Sequence, residues 1–236
     1  MKLTDRLKDG IVVSCQALPD EPLHGSEIMA RMAVAAKQGG AIAIRANSKE
    51  DIIAIKKAVP LPVIGIVKRD YEGSDVYITP TYKEVDELLA AGVDMIAFDA
   101  TNRKRPEDCT LESMVSYMKN NNVYIMADVS TLEEAIYAEK LGVDCVSTTL
   151  SGYTPYSPQQ SGPDFDLVEK AVHELSIPVI AEGRIKMPSQ VDKMFEAGAH
   201  CVVVGGAITR PQLITQEFTA IANRRRTRFD GDEITG

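Results

Sequence analysis

The chain has 236 residues, of which 44% are hydrophobic and 25% are charged, and this composition predicts one folded domain with a large core rather than a disordered chain. Its formal net charge of -8 disfavours nucleic acid and anionic membranes as partners, because both attract a basic surface. The longest apolar run, Ala58 to Val67, is too short to span a membrane, and the amino terminus lacks the apolar stretch of a signal peptide, so a soluble cytoplasmic protein is expected.

Short β-branched runs alternate with helix-length segments along the whole chain, a pattern typical of βα units in a parallel sheet. Eight runs predict strands, and each is followed by a segment long enough for a helix. In chain order, the predicted strands are Ile11–Cys15, Ala41–Ile44, Val63–Val67, Met95–Phe98, Val123–Ala127, Cys145–Thr148, Val179–Ala181 and Cys201–Val204.

The approaches to these strands repeat along the chain. Each even-numbered strand follows a glycine that can end the preceding helix, and this signature recurs about every 50 residues. The third and seventh strands instead share an entry through proline, at Pro62 and Pro178. Two βα units repeated four times predict a single (β/α)₈ TIM barrel of the phosphate-binding type, occupying residues 1–236 as one domain. An open doubly wound sheet is the alternative.

Neither the cysteines and histidines nor the basic cluster near the carboxyl terminus indicates a further site. The four cysteines have no CxxC spacing and the three histidines match no ligand motif, so buried reduced thiols and no metal are expected. Residues 224–236 are polar and begin with a basic cluster. Because no aromatic residues are interleaved with these arginines, the segment is interpreted as a solvated helix end or a partly disordered tail.

Polar residues follow the apolar runs of several predicted strands. In a TIM barrel the carboxyl ends of the strands meet at one mouth, where enzymes of this fold hold their catalytic groups. The odd-numbered strands lead into Gln16, Lys68, Asp128 and Glu182, and the second strand leads into Arg45. Charged groups of both signs at one mouth are hard to explain by packing alone, so they predict a functional site.

Lys68 and Glu182 are the candidates for proton transfer. Lys68 follows five residues that are apolar or glycine, so burial should lower the pKa of its ammonium group toward neutrality and make it a proton acceptor. Glu182 can exchange the matching proton across the mouth or hold Lys68 in position. The alternatives are a structural ion pair between Lys68 and Glu182 and a rim salt bridge between Arg45 and Asp128.

The last two strands carry the signal for phosphate. Gly183 follows the seventh strand, and Gly205 and Gly206 follow the eighth, where barrels of this type bind phosphate through backbone N–H groups and a short helix. Arg210 can add a charged contact, or it can be an exposed residue at a helix N-terminus. The hydroxyl-rich stretch Thr148–Tyr156 is interpreted as a mobile lid, with an ordinary surface loop as the alternative.

Together these segments resemble the N-acetylmannosamine-6-phosphate 2-epimerase family over nearly the whole chain, from Gly10 to Phe218. The residues that carry the resemblance are Ser14-Cys15-Gln16 with the Pro-Leu-His that follows, Ala43-Ile44-Arg45-Ala46, Gly65 to Arg69, Ile78 to Thr81, Met126-Ala127-Asp128, Thr148 to Thr154, Ala181 to Arg184 and Val204 to Pro211.

This resemblance implies that the protein interconverts N-acetylmannosamine 6-phosphate and N-acetylglucosamine 6-phosphate in sialic acid breakdown, with no metal or organic cofactor. It also implies a role for each candidate residue. Lys68 and Glu182 would be the acid/base pair, Gln16, Arg45 and Asp128 would position the sugar, and Gly183, Gly205, Gly206 and Arg210 would bind the phosphate.

Two other classes of function remain open. One is a different phosphate-binding barrel enzyme, such as a decarboxylase, a synthase or a lyase that forms a Schiff base on Lys68. The other is a noncatalytic phosphosugar sensor, against which the Lys68 and Glu182 pair argues because binding alone needs no base. No motif encodes the oligomeric state, and a homodimer is the expectation from how common twofold assemblies are.

Overall fold

The computed structural model describes residues 2–232, and its eight parallel strands close into one barrel. In chain order the strands are β1 (Ile11–Cys15), β2 (Ala43–Asn47), β3 (Val63–Ile66), β4 (Met95–Asp99), β5 (Tyr124–Asp128), β6 (Cys145–Ser147), β7 (Val179–Glu182) and β8 (Cys201–Val204). The last strand pairs with β7 and also with β1, where Val203 lies opposite Val12. This closure confirms the predicted (β/α)₈ barrel and rules out the open sheet.

Helices join successive strands and pack against the outer face of the barrel, except the first, which precedes β1, and the last two, which follow β8. They are α1 (Leu3–Leu7), α2 (Ser26–Gln38), α3 (Lys49–Ala58), α4 (Tyr82–Ala91), α5 (Leu111–Asn120), α6 (Leu132–Leu141), α7 (Phe165–Glu174), α8 (Pro188–Glu196), α9 (Gly206–Thr209) and α10 (Pro211–Asp232). None of the helices in residues 2–232 is long and apolar enough to cross a bilayer. The predicted polar tail, residues 224–236, begins within α10 and ends outside the described residues, so its interpretation stays a prediction.

The glycine and proline signals have separate structural roles. Gly92 and Gly142 end α4 and α6 in the left-handed conformation, with φ of 72° and 82°, as helix-ending glycines commonly do. Pro62 and Pro178 directly precede β3 and β7, which begin at the predicted residues. Their carbonyl groups accept hydrogen bonds of 3.0 and 3.1 Å from the neighbouring strand, so each proline joins the sheet through the one backbone group it retains.

Several strands extend further than the apolar pattern predicts. Arg45, Asp99, Asp128 and Glu182 all lie inside strands, whereas the predicted strands stop at the apolar residue before each of them. Their backbones remain paired with the neighbouring strands; Asp99, for example, lies opposite Asp128. In these four strands the apolar run therefore marks only the part that faces an apolar environment. At β3 and β6 the opposite holds, since the predicted last residues, Val67 and Thr148, lie one residue beyond the strand.

The two-residue alternation of side chains divides the strands between two cores. One cluster fills the barrel interior, and the other packs between the strands and the surrounding helices. Toward the carboxyl ends of the strands, the interior positions continue as polar residues. Each lies two residues after an apolar member of the interior cluster, and the polar residues are Ser14, Arg45, Asp99, Asp128, Ser147 and Glu182.

Helix α1 closes the opposite, amino-terminal end of the barrel, because Leu7 is fully buried in the interior cluster. We expect Leu7→Ala to lower the free energy of unfolding by about 2–5 kcal/mol, since the substitution leaves a cavity under the barrel. Urea denaturation measures this change. Met187→Ala, at a side chain that is 56% exposed, is the control and should change stability by less than about 0.5 kcal/mol. A loss for Leu7→Ala no larger than that of the control would contradict this role of α1.

The cysteines lie in the core, as predicted. All four are buried and free, and burial raises the pKa of the Cys15 and Cys201 thiols to about 12. Such thiols are poor nucleophiles at neutral pH. In the described part of the chain, no group of three or more His, Cys, Asp or Glu side chains is arranged to hold a metal ion.

Candidate active site

Arg45 joins two carboxylates inside the carboxyl end of the barrel. Its side chain is 1% exposed; Nη2 lies 2.5 Å from Asp128 Oδ2, and Nη1 lies 3.0 Å from Asp128 Oδ1 and 2.9 Å from Glu182 Oε2. Burial alone would lower the pKa of the guanidinium, but the charges of Asp128 and Glu182 raise it overall. Arg45 is therefore a permanent cation shared by two strands.

Glu182 is the less completely paired of the two carboxyl groups. It receives one bond from Arg45, whereas Asp128 receives two. Burial raises the pKa of Glu182, the charge of Arg45 opposes this rise, and the negative charge of Asp128 adds to it, so the net direction is upward. Glu182 thus holds a proton at higher pH than an ordinary glutamate does.

Lys68 directly follows Val67 at the end of the apolar run of β3, and its backbone N–H donates to Asn47 Oδ1 at 2.8 Å. Burial lowers the pKa of its ammonium group to about 8, assisted by the positive charges of Arg45 and Arg210 and opposed by Glu182 and Glu21. The direction agrees with the expectation from the sequence. A substantial fraction of Lys68 is therefore neutral just above physiological pH.

Gln16 lies at the same end of the barrel but has a local partner. Its side-chain amide donates to Ser14 Oγ at 2.8 Å, within the segment that ends β1. The predicted sugar-positioning residues are thus not one connected group. Arg45 and Asp128 contact each other, and Gln16 is held by its own strand.

Arg210 forms an ion pair that the sequence did not reveal. Nε and Nη2 lie 2.8 and 2.9 Å from the two carboxylate oxygens of Glu21, a residue of the segment between β1 and α2. The remaining guanidinium nitrogen, Nη1, has no partner among the residues whose side chains the structure describes. The alternative interpretation, an exposed residue at a helix N-terminus, is only partly right, since the side chain is 29% exposed and held in a bidentate pair.

The predicted glycines lie where the chain leaves β7 and β8. Gly183 has a φ of 114°, which other residues rarely adopt, and Gly206 is the first residue of α9. At Gly205, a Cβ atom would lie 3.4 Å from the Cβ of Ser14 on β1, so the backbone passes close to that strand. Thr209 Oγ1 donates to the Ser14 carbonyl at 3.0 Å and so holds α9 against the end of β1.

Thr149 is a site residue that the sequence interpretation placed in a lid. The chain forms a 3₁₀ turn at Thr148–Leu150, directly after β6. Thr149 Oγ1 lies 2.8 Å from Asp128 Oδ1 and 3.0 Å from Glu182 Oε2, and Ser147 Oγ is 2.8 Å from the same hydroxyl. The beginning of the stretch interpreted as a lid therefore lies among the carboxylates.

The rest of that stretch is tied to the loop after β7. Arg184, which has a φ of 55°, donates to the carbonyl oxygens of Ser151 and Gly162, the second contact being 2.7 Å. Tyr153 is 55% exposed, and its ring lies 5.6 Å from the Arg184 guanidinium carbon. That this segment moves as a lid stays a prediction.

A second polar group extends the mouth beside β4. Asp99 is fully buried and pairs with Arg103 at 2.5 Å. Burial raises the pKa of Tyr77, and the charges of Asp99 and Asp128 raise it further. The sequence analysis did not identify Asp99 as a site residue, although a signal was available. Asp99 lies two residues after the interior residue Ala97 and so faces the interior, but the predicted strand ended one residue before it.

A known protein family matches most of the chain. The family described as "Putative N-acetylmannosamine-6-phosphate epimerase" matches residues 29–224. The chain belongs to this family.

Two relatives carry the name "Putative N-acetylmannosamine-6-phosphate 2-epimerase". The protein of Clostridioides difficile (strain 630) is 60% identical over 216 residues, which cover 92% of this chain and 97% of the relative. The protein of Clostridium perfringens (strain SM101 / Type A) is 58% identical over 219 residues, which cover 93% and 99%.

Solved structures extend the comparison to the fold. The N-acetylmannosamine-6-phosphate 2-epimerase from Clostridium perfringens matches with a TM-score of 0.92 and 57% identity, covering 94% of this chain and 96% of the other. A thiamine phosphate pyrophosphorylase from Pyrococcus furiosus, with a TM-score of 0.60 and 22% identity, shares the barrel alone.

Proposed function

We propose that the chain interconverts N-acetylmannosamine 6-phosphate and N-acetylglucosamine 6-phosphate by moving a proton at C2, in amino-sugar breakdown. Membership of the epimerase family supports the reaction class. The observation that carries the proposal is that two groups at one barrel mouth have pKa values shifted in opposite directions. The pKa of Lys68 is lowered to about 8, and the pKa of Glu182 is raised. Groups shifted in opposite directions are suited to accept and donate protons at neutral pH.

The chemistry follows from the open-chain form of the sugar. C2 then lies next to the C1 aldehyde, so removing its proton gives an enolate whose negative charge cationic groups can stabilise. In the proposal, neutral Lys68 takes this proton, and either Lys68 or Glu182 returns one to the opposite face. Arg45, Asp128 and Gln16 position the sugar beside these two groups.

The phosphate is proposed to bind at the loops after β7 and β8. Gly183, Gly205 and Gly206 allow close approach to the backbone there, and this is the usual phosphate position in barrels of this type. Arg210 would use Nη1, which lacks a partner among the described side chains, while Glu21 holds its other two nitrogens. An arginine fixed in this way loses little conformational freedom when it binds an anion.

A coupled assay with N-acetylmannosamine 6-phosphate in D₂O tests the reaction directly. We expect turnover, with deuterium from solvent at C2 of the product. Product without deuterium would exclude exchange of the proton at that carbon with solvent during turnover. Binding without turnover would favour the phosphosugar sensor, and a covalent adduct on Lys68 after borohydride treatment would favour the Schiff-base lyase.

We also propose a cytoplasmic homodimer that has no nucleic-acid partner. The net charge of -8 opposes binding to nucleic acid. Support for an assembly comes from α10, where Leu213, Phe218 and Ile221 are 42%, 75% and 53% exposed, because exposed apolar side chains on one helix are typical of a contact surface. Sedimentation equilibrium at micromolar concentration tests the dimer, and a monomer would contradict it.

A further inference from the structure

Tyr77 lies at the mouth between the ends of β3 and β4. The next residue, Ile78, forms an antiparallel bridge with Lys68, and its carbonyl accepts from the Asp99 N–H at 3.0 Å. The Tyr77 carbonyl accepts from the Arg69 N–H, also at 3.0 Å. These backbone bonds hold Tyr77 between the proposed base and the polar group beside β4.

The Tyr77 side chain faces the inside of the barrel. It is half-buried and packs against the interior cluster. Burial raises the pKa of its phenol, the charges of Asp99 and Asp128 raise it further, and the charge of Arg103 lowers it, so the phenol lies within electrostatic reach of the ends of β4 and β5. A phenol whose pKa is above its ordinary value is uncharged at neutral pH. Tyr77 therefore presents a neutral aromatic surface at a mouth whose other groups are mostly charged.

The order of the strands limits where a substituent on C2 of the sugar can lie. The phosphate is proposed to bind at the loops after β7 and β8, and Lys68 follows β3. In a closed barrel of eight strands in chain order, β4 stands opposite β8. A sugar with its phosphate beside β8 and its C2 atom at Lys68 thus extends across the mouth. The N-acyl group on C2 is then at the far side, beside the ends of β3 and β4.

An N-acyl group has a polar amide and a small alkyl end, and the mouth beside β4 suits both. The ring of Tyr77 offers an apolar face to the alkyl end. Arg103 supplies a fixed polar group nearby, because its Nε donates to Thr101 Oγ1 at 3.0 Å and its Nη2 to Asp99 Oδ2 at 2.5 Å. A ring held by its backbone at this position limits how long the alkyl end can be.

We propose that Tyr77 is a specificity-determining residue: it contacts the N-acyl group of the substrate and sets the length of the acyl chain that the site accepts. This inference rests on the proposed function, from which it takes the positions of the phosphate and of C2. Tyr77 takes no part in proton transfer. Its replacement should therefore change the preference among acyl groups and leave the reaction itself the same.

Tyr77→Ala tests the assignment through the ratio of kcat/KM for N-butanoylmannosamine 6-phosphate to that for N-acetylmannosamine 6-phosphate. We expect the wild type to prefer the acetyl group by about 10-fold or more, because the longer chain meets the ring. In Tyr77→Ala the ratio should rise by roughly 10- to 100-fold, since the added methylene groups then occupy the space of the ring. Tyr77→Phe keeps the ring and should leave the ratio within about threefold of the wild-type value.

The ratio is measured within one preparation, so a partly folded variant does not alter it. Tyr77→Leu also shortens the side chain while keeping it apolar, should shift the ratio in the same direction, and decides the question if the alanine variant does not fold. Tyr71→Ala is the matched control. Tyr71 is a half-buried tyrosine of the same loop, but its hydroxyl donates to Glu84 Oε1 on α4 at 3.0 Å. Its removal should leave the ratio at the wild-type value.

A binding measurement separates this inference from the proposed function. Calorimetry with N-acetyl- and N-butanoylglucosamine 6-phosphate, in a Lys68→Met background that converts neither, compares two ligands that differ in the acyl chain alone. The ratio of their Kd values should follow the kinetic ratio in each variant. A wild-type protein that binds both ligands and epimerises neither would refute the proposed function, and the shift of the Kd ratio in Tyr77→Ala would still decide the role of Tyr77.

Three outcomes would overturn that role: a wild type that accepts both acyl groups equally, a ratio that does not move in Tyr77→Ala and Tyr77→Leu, or an equal shift in Tyr71→Ala. Failure of both ligands to bind would overturn the proposed function and this inference together.

Discussion

Lys68→Met should reduce turnover of N-acetylmannosamine 6-phosphate by about 10³-fold or more while phosphosugar still binds, because a general base is removed from a site whose other groups remain. Calorimetry measures the binding, and the coupled assay measures the turnover. Lys170→Met is the control, since Lys170 lies on α7, is 57% exposed and pairs with Asp166. Activity retained by Lys68→Met would remove Lys68 from the mechanism.

The same variant should be more stable than the wild type at pH 7. The pKa of Lys68 is lowered from 10.5 to about 8 in the folded protein, so between these values the unfolded chain binds a proton that the folded protein does not. Stability of the wild type therefore rises with pH across this window, and below it the buried charge is a cost. Removing the amine should stabilise the fold by roughly 1–2 kcal/mol at pH 7, after a discount for partial exposure to solvent, and the gain should disappear toward pH 10.5. Urea denaturation at pH 7 and pH 10 measures both values, and a variant that is less stable at pH 7 would contradict the burial of Lys68.

Local sequence patterns predict the barrel and the strands that supply the charged residues at its mouth. A strand shows itself by its apolar alternation, and a polar residue that continues the alternation toward the carboxyl end must face the interior. Arg45, Asp128 and Glu182 satisfy that condition, so their meeting at one mouth followed from the fold class. The predicted strand ends were wrong at the same residues, because an apolar pattern cannot show that a buried polar side chain still belongs to a strand.

The partners of these residues required the structure. Thr149 reaches the carboxylates because a 3₁₀ turn carries it over the end of β6, and a row of hydroxyl residues predicts no such turn. Glu21 and Arg210 are 189 residues apart in sequence, so no local spacing could link them. Asp99 was missed for the simpler reason that its strand was ended one residue early.

Arg45→Met should lower the free energy of unfolding by about 3–5 kcal/mol near neutral pH, because the side chain is 1% exposed and its loss leaves two carboxyl groups without their cation. This loss of free energy of unfolding should depend on pH. Burial and Asp128 already raise the pKa of Glu182, and removing Arg45 takes away the charge that lowers it. Above the ordinary glutamate value of 4.5, the folded variant then keeps a proton that the unfolded chain releases, so its stability falls as the pH rises through this window.

Urea denaturation at pH 5 and pH 8 measures this dependence, and the difference between Arg45→Met and the wild type should be larger at pH 8. Arg31→Met, on the exposed face of α2, is the control and should cost less than about 0.5 kcal/mol at either pH. Adding Asp128→Asn to Arg45→Met should recover part of the loss, because the second substitution removes one of the stranded charges. A double variant that is less stable than Arg45→Met at pH 8 would mean that Arg45 stabilises the barrel through packing rather than by neutralising these acids. An equal loss of free energy of unfolding at pH 5 and pH 8 would lead to the same conclusion, because a loss caused by packing alone does not depend on pH.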